Sequence, residues 1–280
     1  MDKEYYDIQG AYGYNGVIAS NYSNSFRKSF YEEFSKYCLD NNIIAEFTRF
    51  SPILGNHQFS ENYMEVIYDR DTMFLNLDQP YDVIWSTQYS SKNRNMIRKG
   101  RKKLYCNISQ DRSLIGSFKQ IYNETMQKIG ADDYYYFSDE YFDNILFGKN
   151  YIINVYDSSS EELQAAMILM IHGNYAHYHL SGRSKNCNNN ATSNLMLDEA
   201  IRFAQKKECK FFHFGGGNST EKDDSLLKFK QSFSKDNCQF FIGKKIHNEK
   251  IYNNVVKQWE ERIKNADNRR LLRYREIDER

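Results

Sequence analysis

The residues with the most evident capacity for chemistry lie between Lys210 and Phe233, in the stretch KFFHFGGGNSTEKDDSLLKFKQSF. Phe211 to Phe214 read as a short aromatic strand, three consecutive glycines (Gly215, Gly216, Gly217) break it, and a helix is predicted to restart at about Lys222 or Asp223. The glycines permit positive φ and let backbone N–H groups approach a ligand with no Cβ in the way. At about 100° per residue, Leu226, Leu227, Phe229 and Phe233 form one apolar stripe with Lys230 in its middle. Desolvating an ammonium is costly, so Lys230 either snorkels out beside the stripe or points into a cavity where a cation is needed.

A second set of candidates lies on the strand expected at Tyr175 to Ser181. Strict alternation puts Tyr175, His177, His179 and Ser181 on one face and Ala176, Tyr178 and Leu180 on the other. Whichever face lines a cleft offers a proton acceptor: His177 or His179 on one side, Tyr178 on the other. His213, on the glycine-loop strand, is a further candidate. H-x-H on one strand can chelate, but no carboxylate or cysteine accompanies it at ligand spacing, so no metal is expected. A third set is cationic. The segment from Ile84 to Leu104 carries Lys92, Arg94, Arg98, Lys99, Arg101, Lys102 and Lys103 with no acid, on a helix predicted from about Ser90 onward. It reads either as a solvated face or as an anion site, with Arg94 and Arg98, one turn apart, able to close on a single phosphate.

These groups need a scaffold, and the order of elements supplies one. After a glycine-rich loop at residues 10–20 that carries Tyr12 and Tyr14, a helix runs from Ser25 to about Asn41. A strand, Ile43 to Phe50, follows and carries Arg49. Met64 to Tyr68 and Thr72 to Leu77 read as a hairpin turning at Asp69 to Asp71. From Tyr105 come a strand, a helix at Arg112 to Ile129, and a second helix opened by Ser138-Asp139-Glu140. Three strands follow at Tyr151 to Tyr156, Leu163 to Ile171 and Tyr175 to Ser181; the middle one is apolar throughout and so buried on both faces. A helix to Lys206, the glycine-loop strand, its lysine helix, a strand at Gln239 to Gly243 and a helix through Ile251, Val255, Trp259 and Ile263 complete the chain. A charged tail, Asn265 to Arg280, is expected to fray.

Composition bounds the rest. The 280 residues hold 38 basic and 37 acidic side chains, a net charge of +1, so no global field marks a nucleic-acid or membrane protein and any basic site must be local. The five cysteines are scattered, odd in number and never spaced C-x-x-C, which argues against a disulfide framework or structural zinc and fits a reducing compartment. The start, MDKEYYD, lacks the parts of a signal peptide, and no apolar run approaches the roughly 20 residues that span a bilayer. The expected location is the cytoplasm.

The element order resembles that of the GNAT superfamily of acyltransferases. More specifically, SSKNRNMIRKGRKK, HYHLSGR, FHFGGG and LLKFKQSF resemble the Fem-type aminoacyltransferases that build peptidoglycan cross-bridges, over Ile84 to Phe233. The resemblance implies an α/β (α+β) fold: a GNAT-like mixed, mostly antiparallel sheet flanked by helices. The expected parts are a reduced N-terminal GNAT-like portion (1–104, including the basic helix), a complete acyltransferase domain (105–247), and a C-terminal helix and tail (248–280).

In function, the resemblance implies transfer of an acyl or aminoacyl group to an amine of a cell-envelope precursor by direct attack. The lysine of the F-K pair, here Phe229-Lys230, would stand at the reacting carbonyl, with Tyr178 and His179 as the accompanying catalytic candidates. Gly215, Gly216, Gly217, Phe229 and His213 would line the substrate site; Arg94 and Arg98 would hold phosphates, and Tyr12, Tyr14 and Arg49 would complete the cleft. The donor is acyl-CoA or aminoacyl-tRNA; where CoA-dependent relatives carry a glycine-rich pyrophosphate loop, this chain reads KNCNNNATSN. The acceptor is a nucleotide- or lipid-linked sugar or peptide. Two alternatives stand beside this: a tRNA-dependent aminoacyltransferase of Fem type, whose basic helix meets RNA, and an inactive GNAT-like binding module, which would have no need for a lysine in an apolar stripe.

Overall fold

A computed structural model describes residues 3–219, 221, 223–263 and 270–275. The chain divides into two compact units, one formed by Met1–Asp71 with Cys238–Arg280 and the other by Thr72–Asn237.

In the first unit β1 (Tyr6–Gln9), α1 (Asn24–Asp40), β2 (Ile43–Arg49) and the short α2 (His57–Ser60) come in order, and β3 (Glu65–Asn76) leads out of it. β1 lies parallel to β2, and β2 lies antiparallel to β9 (Asn237–Ile246). The final helix, Glu249–Glu260, packs Tyr252 and Val256 against Ile44 and Ala45 of β2. Although the charged tail was expected to fray, its described part is docked. Leu271 joins that core, the Tyr252 hydroxyl donates to its carbonyl at 2.7 Å, and Arg275 pairs with Asp7. The remainder of the tail, 265–269 and 276–280, lies outside the described residues.

The hairpin expected at Asp69 to Asp71 is absent: β3 runs through it as one strand. Asp69-Arg70-Asp71 contains neither glycine nor asparagine, the residues that take the positive φ of a tight turn most readily. Its charges are met along the strand instead, Arg70 by Asp69 at 2.5 Å and Asp71 by the Tyr68 hydroxyl at 3.1 Å.

The second unit holds α3 (Tyr81–Thr87), α4 (Ser91–Gly100), β4 (Leu104–Ser109), α5 (Ile115–Ile129), α6 (Asp139–Asn144), β5 (Asn150–Asp157), β6 (Leu163–His172), β7 (Tyr175–Arg183), α7 (Thr192–Lys206), β8 (Phe211–Gly215) and α8 (Ser225–Gln231). We number the helix Glu249–Glu260 of the first unit α9. Among the described residues of this unit the strand order is β3-β8-β7-β6-β5-β4, antiparallel except for the parallel pair β7 and β8. This is the expected mixed, mostly antiparallel sheet flanked by helices.

Local signals explain the helices: Ser90 caps α4, Ser138 caps α6, and Gly130, at φ 62°, ends α5. β6 is buried almost throughout, as its unbroken apolar run requires. The core joins Leu195, Leu197, Ala200 and Ile201 of α7 to Ile153, Met167 and Leu169 of the sheet and to Phe212, Phe214 and Phe233 around β8. The α5 face is tighter. A Cβ on Gly182 of β7 would stand 2.6 Å from the Ile121 carbonyl oxygen, so strand and helix meet backbone to backbone. No helix among the described residues is long and apolar enough to cross a membrane.

Candidate active site

β7 and β8 pair in parallel at Tyr175–Phe211, Ala176–Phe212 and His177–His213, and there the pairing stops. β7 continues to Arg183, while β8 ends at Gly215, whose φ of 76° turns the chain away. A wedge opens between the two strands. α8 restarts at Ser225, a little later than the sequence suggested, because Asp224 provides the cap: its side chain accepts from the Leu227 amide at 2.8 Å. Both expected starts, Lys222 and Asp223, precede this cap, and Lys222 lies outside the described residues.

Lys230 is the buried residue of this short helix, 5% exposed. Leu227 and Phe229 pack on the core beside it, and Phe233, just past the helix, is wholly buried. The ammonium donates to the Gly216 carbonyl at 2.5 Å and lies 5.6 Å from the centroid of the Tyr178 ring. It therefore sits in the wedge, between the residue after β8 and the first residue of β7 beyond the paired stretch. Burial lowers its pKa to about 7, opposed by the Asp224 carboxylate. Near neutral pH it is a cation held close to its midpoint.

Around it are groups that burial keeps neutral. His213 and His177 face each other with their Nδ1 atoms 3.2 Å apart, and His213 Nε2 is 2.9 Å from the Thr72 hydroxyl. Burial, with the Lys230 charge adding to it, pushes His213 down to about 3 and His177 well below the ordinary imidazole value. His179 Nε2 lies 2.5 Å from the Tyr141 hydroxyl, and burial lowers its pKa to about 4. The Tyr178 hydroxyl is hydrogen-bonded to Ser181, and burial raises its pKa.

The alternation expected along β7 does not survive. Tyr178 stands opposite Leu169 and Leu180 opposite Ile168, leaving His179 as an extra residue, a β-bulge that resets the faces. Tyr178 and Ser181, expected on opposite faces, are in contact as a result.

The basic helix α4 is tied to the same region. The Ser90 amide donates to the Ser232 carbonyl at 2.9 Å, and the Asn93 side-chain amide donates to the same carbonyl at 3.1 Å. Its two expected phosphate ligands are differently placed. The Arg94 guanidinium turns back onto the end of α3, donating to the carbonyls of Trp85 (3.3 Å), Ser86 (3.5 Å) and Tyr89. Arg98 lies over the Trp85 ring at 5.4 Å and donates to Asn95. Arg101 pairs with the buried carboxylate of Asp198 at 2.6 Å, to which the Tyr81 hydroxyl also donates.

Tyr12, Tyr14 and Arg49 belong to the first unit. There Arg49 donates to the Gly13 carbonyl at 3.0 Å and lies over Phe240, whose ring Tyr14 meets edge-on. Sequence reasoning missed Thr72, Tyr141, Ser181 and Asp224. Only Asp224 carried a local signal, an aspartate directly before an apolar helix. Among the described residues no group of three or more His, Cys, Asp or Glu side chains converges as a metal site.

A sheet that parts between two parallel strands, with a buried cation in the gap, fits a GNAT-like, FemAB-type fold. The FemAB family model matches residues 151–244, the segment that contains the histidines, the glycine corner and Lys230. Among solved structures the chain is similar to FemX, at TM-score 0.63 and 14% identity over 83% of this chain and 80% of that one. It is also similar to the C-terminal domain of a putative lysylphosphatidylglycerol synthetase from Agrobacterium fabrum (TM-score 0.58, 12% identity, 83% of this chain and 76% of that one). L-PGS from Bacillus licheniformis follows at TM-score 0.57 and 12% identity, over 79% of this chain and 73% of that one. No curated protein sequence matches the chain.

Proposed function

We propose that this protein transfers an aminoacyl group from an activated carrier to an amine of a peptidoglycan or surface-glycan precursor. The amine nitrogen adds directly to the acyl carbon, the bond from that carbon to the carrier oxygen breaks, and the nitrogen gives up a proton while the carrier leaves as its free hydroxyl. The observation that carries this reading is the buried ammonium of Lys230 in the wedge between β7 and β8. A cation there stabilises the oxyanion of the tetrahedral intermediate, and a single such donor is typically worth about 10² to 10³ in rate. Tyr178, with Ser181 behind it, and His179, with Tyr141 behind it, are the neutral groups that handle the proton. His213, Phe229 and the glycine corner Gly215 to Gly217 form the floor against which the acyl group lies. Arg98, more open than Arg94, meets an acceptor phosphate.

One observation favours aminoacyl-tRNA over acyl-CoA as the donor. The amides before α7, which would have to cradle a CoA pyrophosphate, are bonded within the loop: Asn186 and Cys187 to Ser184, Ala191 and Thr192 to Asn189, at 2.9 to 3.2 Å. The exposed cations of α4 suit an RNA backbone. The test is to incubate the protein separately with aminoacyl-tRNA and acyl-CoA pools plus envelope precursors and look for an acylated amine by mass spectrometry. We expect product from aminoacyl-tRNA, abolished when the donor is treated with ribonuclease. Product from acyl-CoA alone would overturn the donor assignment, and no product from either would overturn the transferase reading.

A further inference from the structure

The carboxylate of Asp224 is occupied beyond what a helix cap needs. One oxygen accepts from the Leu227 amide at 2.8 Å and starts α8; the other accepts from the amides of Asn218 (2.9 Å) and Ser219 (3.0 Å) and from the Ser219 hydroxyl (3.2 Å). The loop after the glycine corner is thus gathered onto one side chain that is 8% exposed. The gathering leaves no room at Gly217: a Cβ there would lie 2.5 Å from the Asp224 Oδ1 and 2.6 Å from its Cγ. The closed loop delivers the Gly216 carbonyl to the Lys230 ammonium. Those four bonds hold the carboxyl below the usual carboxylate range despite its burial, so it is an anion at neutral pH.

Resting on the reading of Lys230 given above, we propose that Asp224 is a positioning residue for the transfer reaction: by fixing the loop from Gly216 to Ser219 it aims the Lys230 ammonium into the wedge and keeps it charged there. Its anion is the charge that favours the ammonium. The other titratable groups facing Lys230, Tyr178 and His177 from β7 and His213 from β8, are neutral and offer no substitute. The absence of a side chain at Gly217 is a condition of the arrangement.

The test needs no substrate. The Lys230 side chain is titrated by NMR in the full-length, ¹³C-lysine-labelled protein, with Lys230→Met identifying its signal. In Asp224→Asn we expect the midpoint to move by about one pH unit. It moves down if the loop stays closed and only the charge is lost, and up toward the ordinary lysine value if the loop opens to water. Gly217→Ala, which keeps the carboxylate and displaces it, should move the midpoint too, and covers the case in which Asp224→Asn does not fold. A midpoint unchanged in both variants would overturn the proposal and leave Asp224 a helix cap. A wild-type Lys230 that titrates like an exposed lysine would instead overturn the reading of Lys230 itself. In the transfer assay both variants should lower kcat with little change in KM.

Discussion

Lys230 has to be charged to stabilise an oxyanion, and its surroundings make that charge conditional. With its pKa at about 7, the ammonium is lost as the pH rises through neutrality. The rate of transfer at saturating substrate is therefore expected to fall between about pH 7 and 8.5, where an ordinary lysine would remain charged. A rate flat across that range would show that the cation is not needed. Stability responds in the opposite sense. Between pH 7 and the ordinary lysine value the unfolded chain binds a proton that the folded chain lacks, so the burial penalty is fully present below pH 7 and fades as the pH rises. Lys230→Met is therefore expected to melt above the wild type at pH 6.5, with the gap closing toward pH 10. Calorimetry across that range checks it. At this scale the sequence was informative about Lys230, because a cation at the middle of an apolar helical stripe is a conflict visible in one dimension. It was silent about the His213–His177–Thr72 cluster, because contacts between strands depend on register, which no local pattern encodes.

At the scale of elements, periodicity and caps sufficed for β4 to β7, α5, α7 and the capped start of α6. They failed where the chain chose between equal local options. β3 runs straight through a charged triplet that looked like a turn, and a single bulge at His179 exchanged the faces of half of β7. Arg94 looked open for phosphate because its spacing to Arg98 was right, but the carbonyls at the end of α3 reach it first. One contact between elements predicts a measurable cost. Gly182 lets β7 lie against the α5 backbone, and a Cβ there would be 2.6 Å from the Ile121 carbonyl oxygen and 2.8 Å from the Tyr122 nitrogen, atoms that cannot step aside singly. Gly182→Ala should destabilise the protein by about 1–3 kcal/mol in denaturant unfolding, the usual range for overpacking. A change below about 0.5 kcal/mol, typical of surface sites, would mean that strand and helix are less tightly joined than described.

At the scale of the whole molecule, each compact unit carries its own apolar cluster, one around Phe212, Phe214 and Phe233 and the other around Ile44, Tyr252 and Leu271. That the segment from Cys238 onward returns to the unit formed by the N-terminal residues is a long-range pairing, of β2 with β9, that leaves no trace in neighbouring residues. Element order, in contrast, was legible, since strand, helices, strands, helix, strand, helix is preserved in the chain itself. It led to a GNAT-like, FemAB-type fold, which the structural likeness to FemX and the FemAB match over residues 151–244 bear out. The most direct test of the account is single-turnover transfer from aminoacyl-tRNA to an envelope-precursor amine, comparing wild type with Lys230→Met at pH 7. We predict a loss of at least about 10²-fold in the variant with an unchanged circular dichroism spectrum. A folded Lys230→Met protein that transfers at close to the wild-type rate would contradict it.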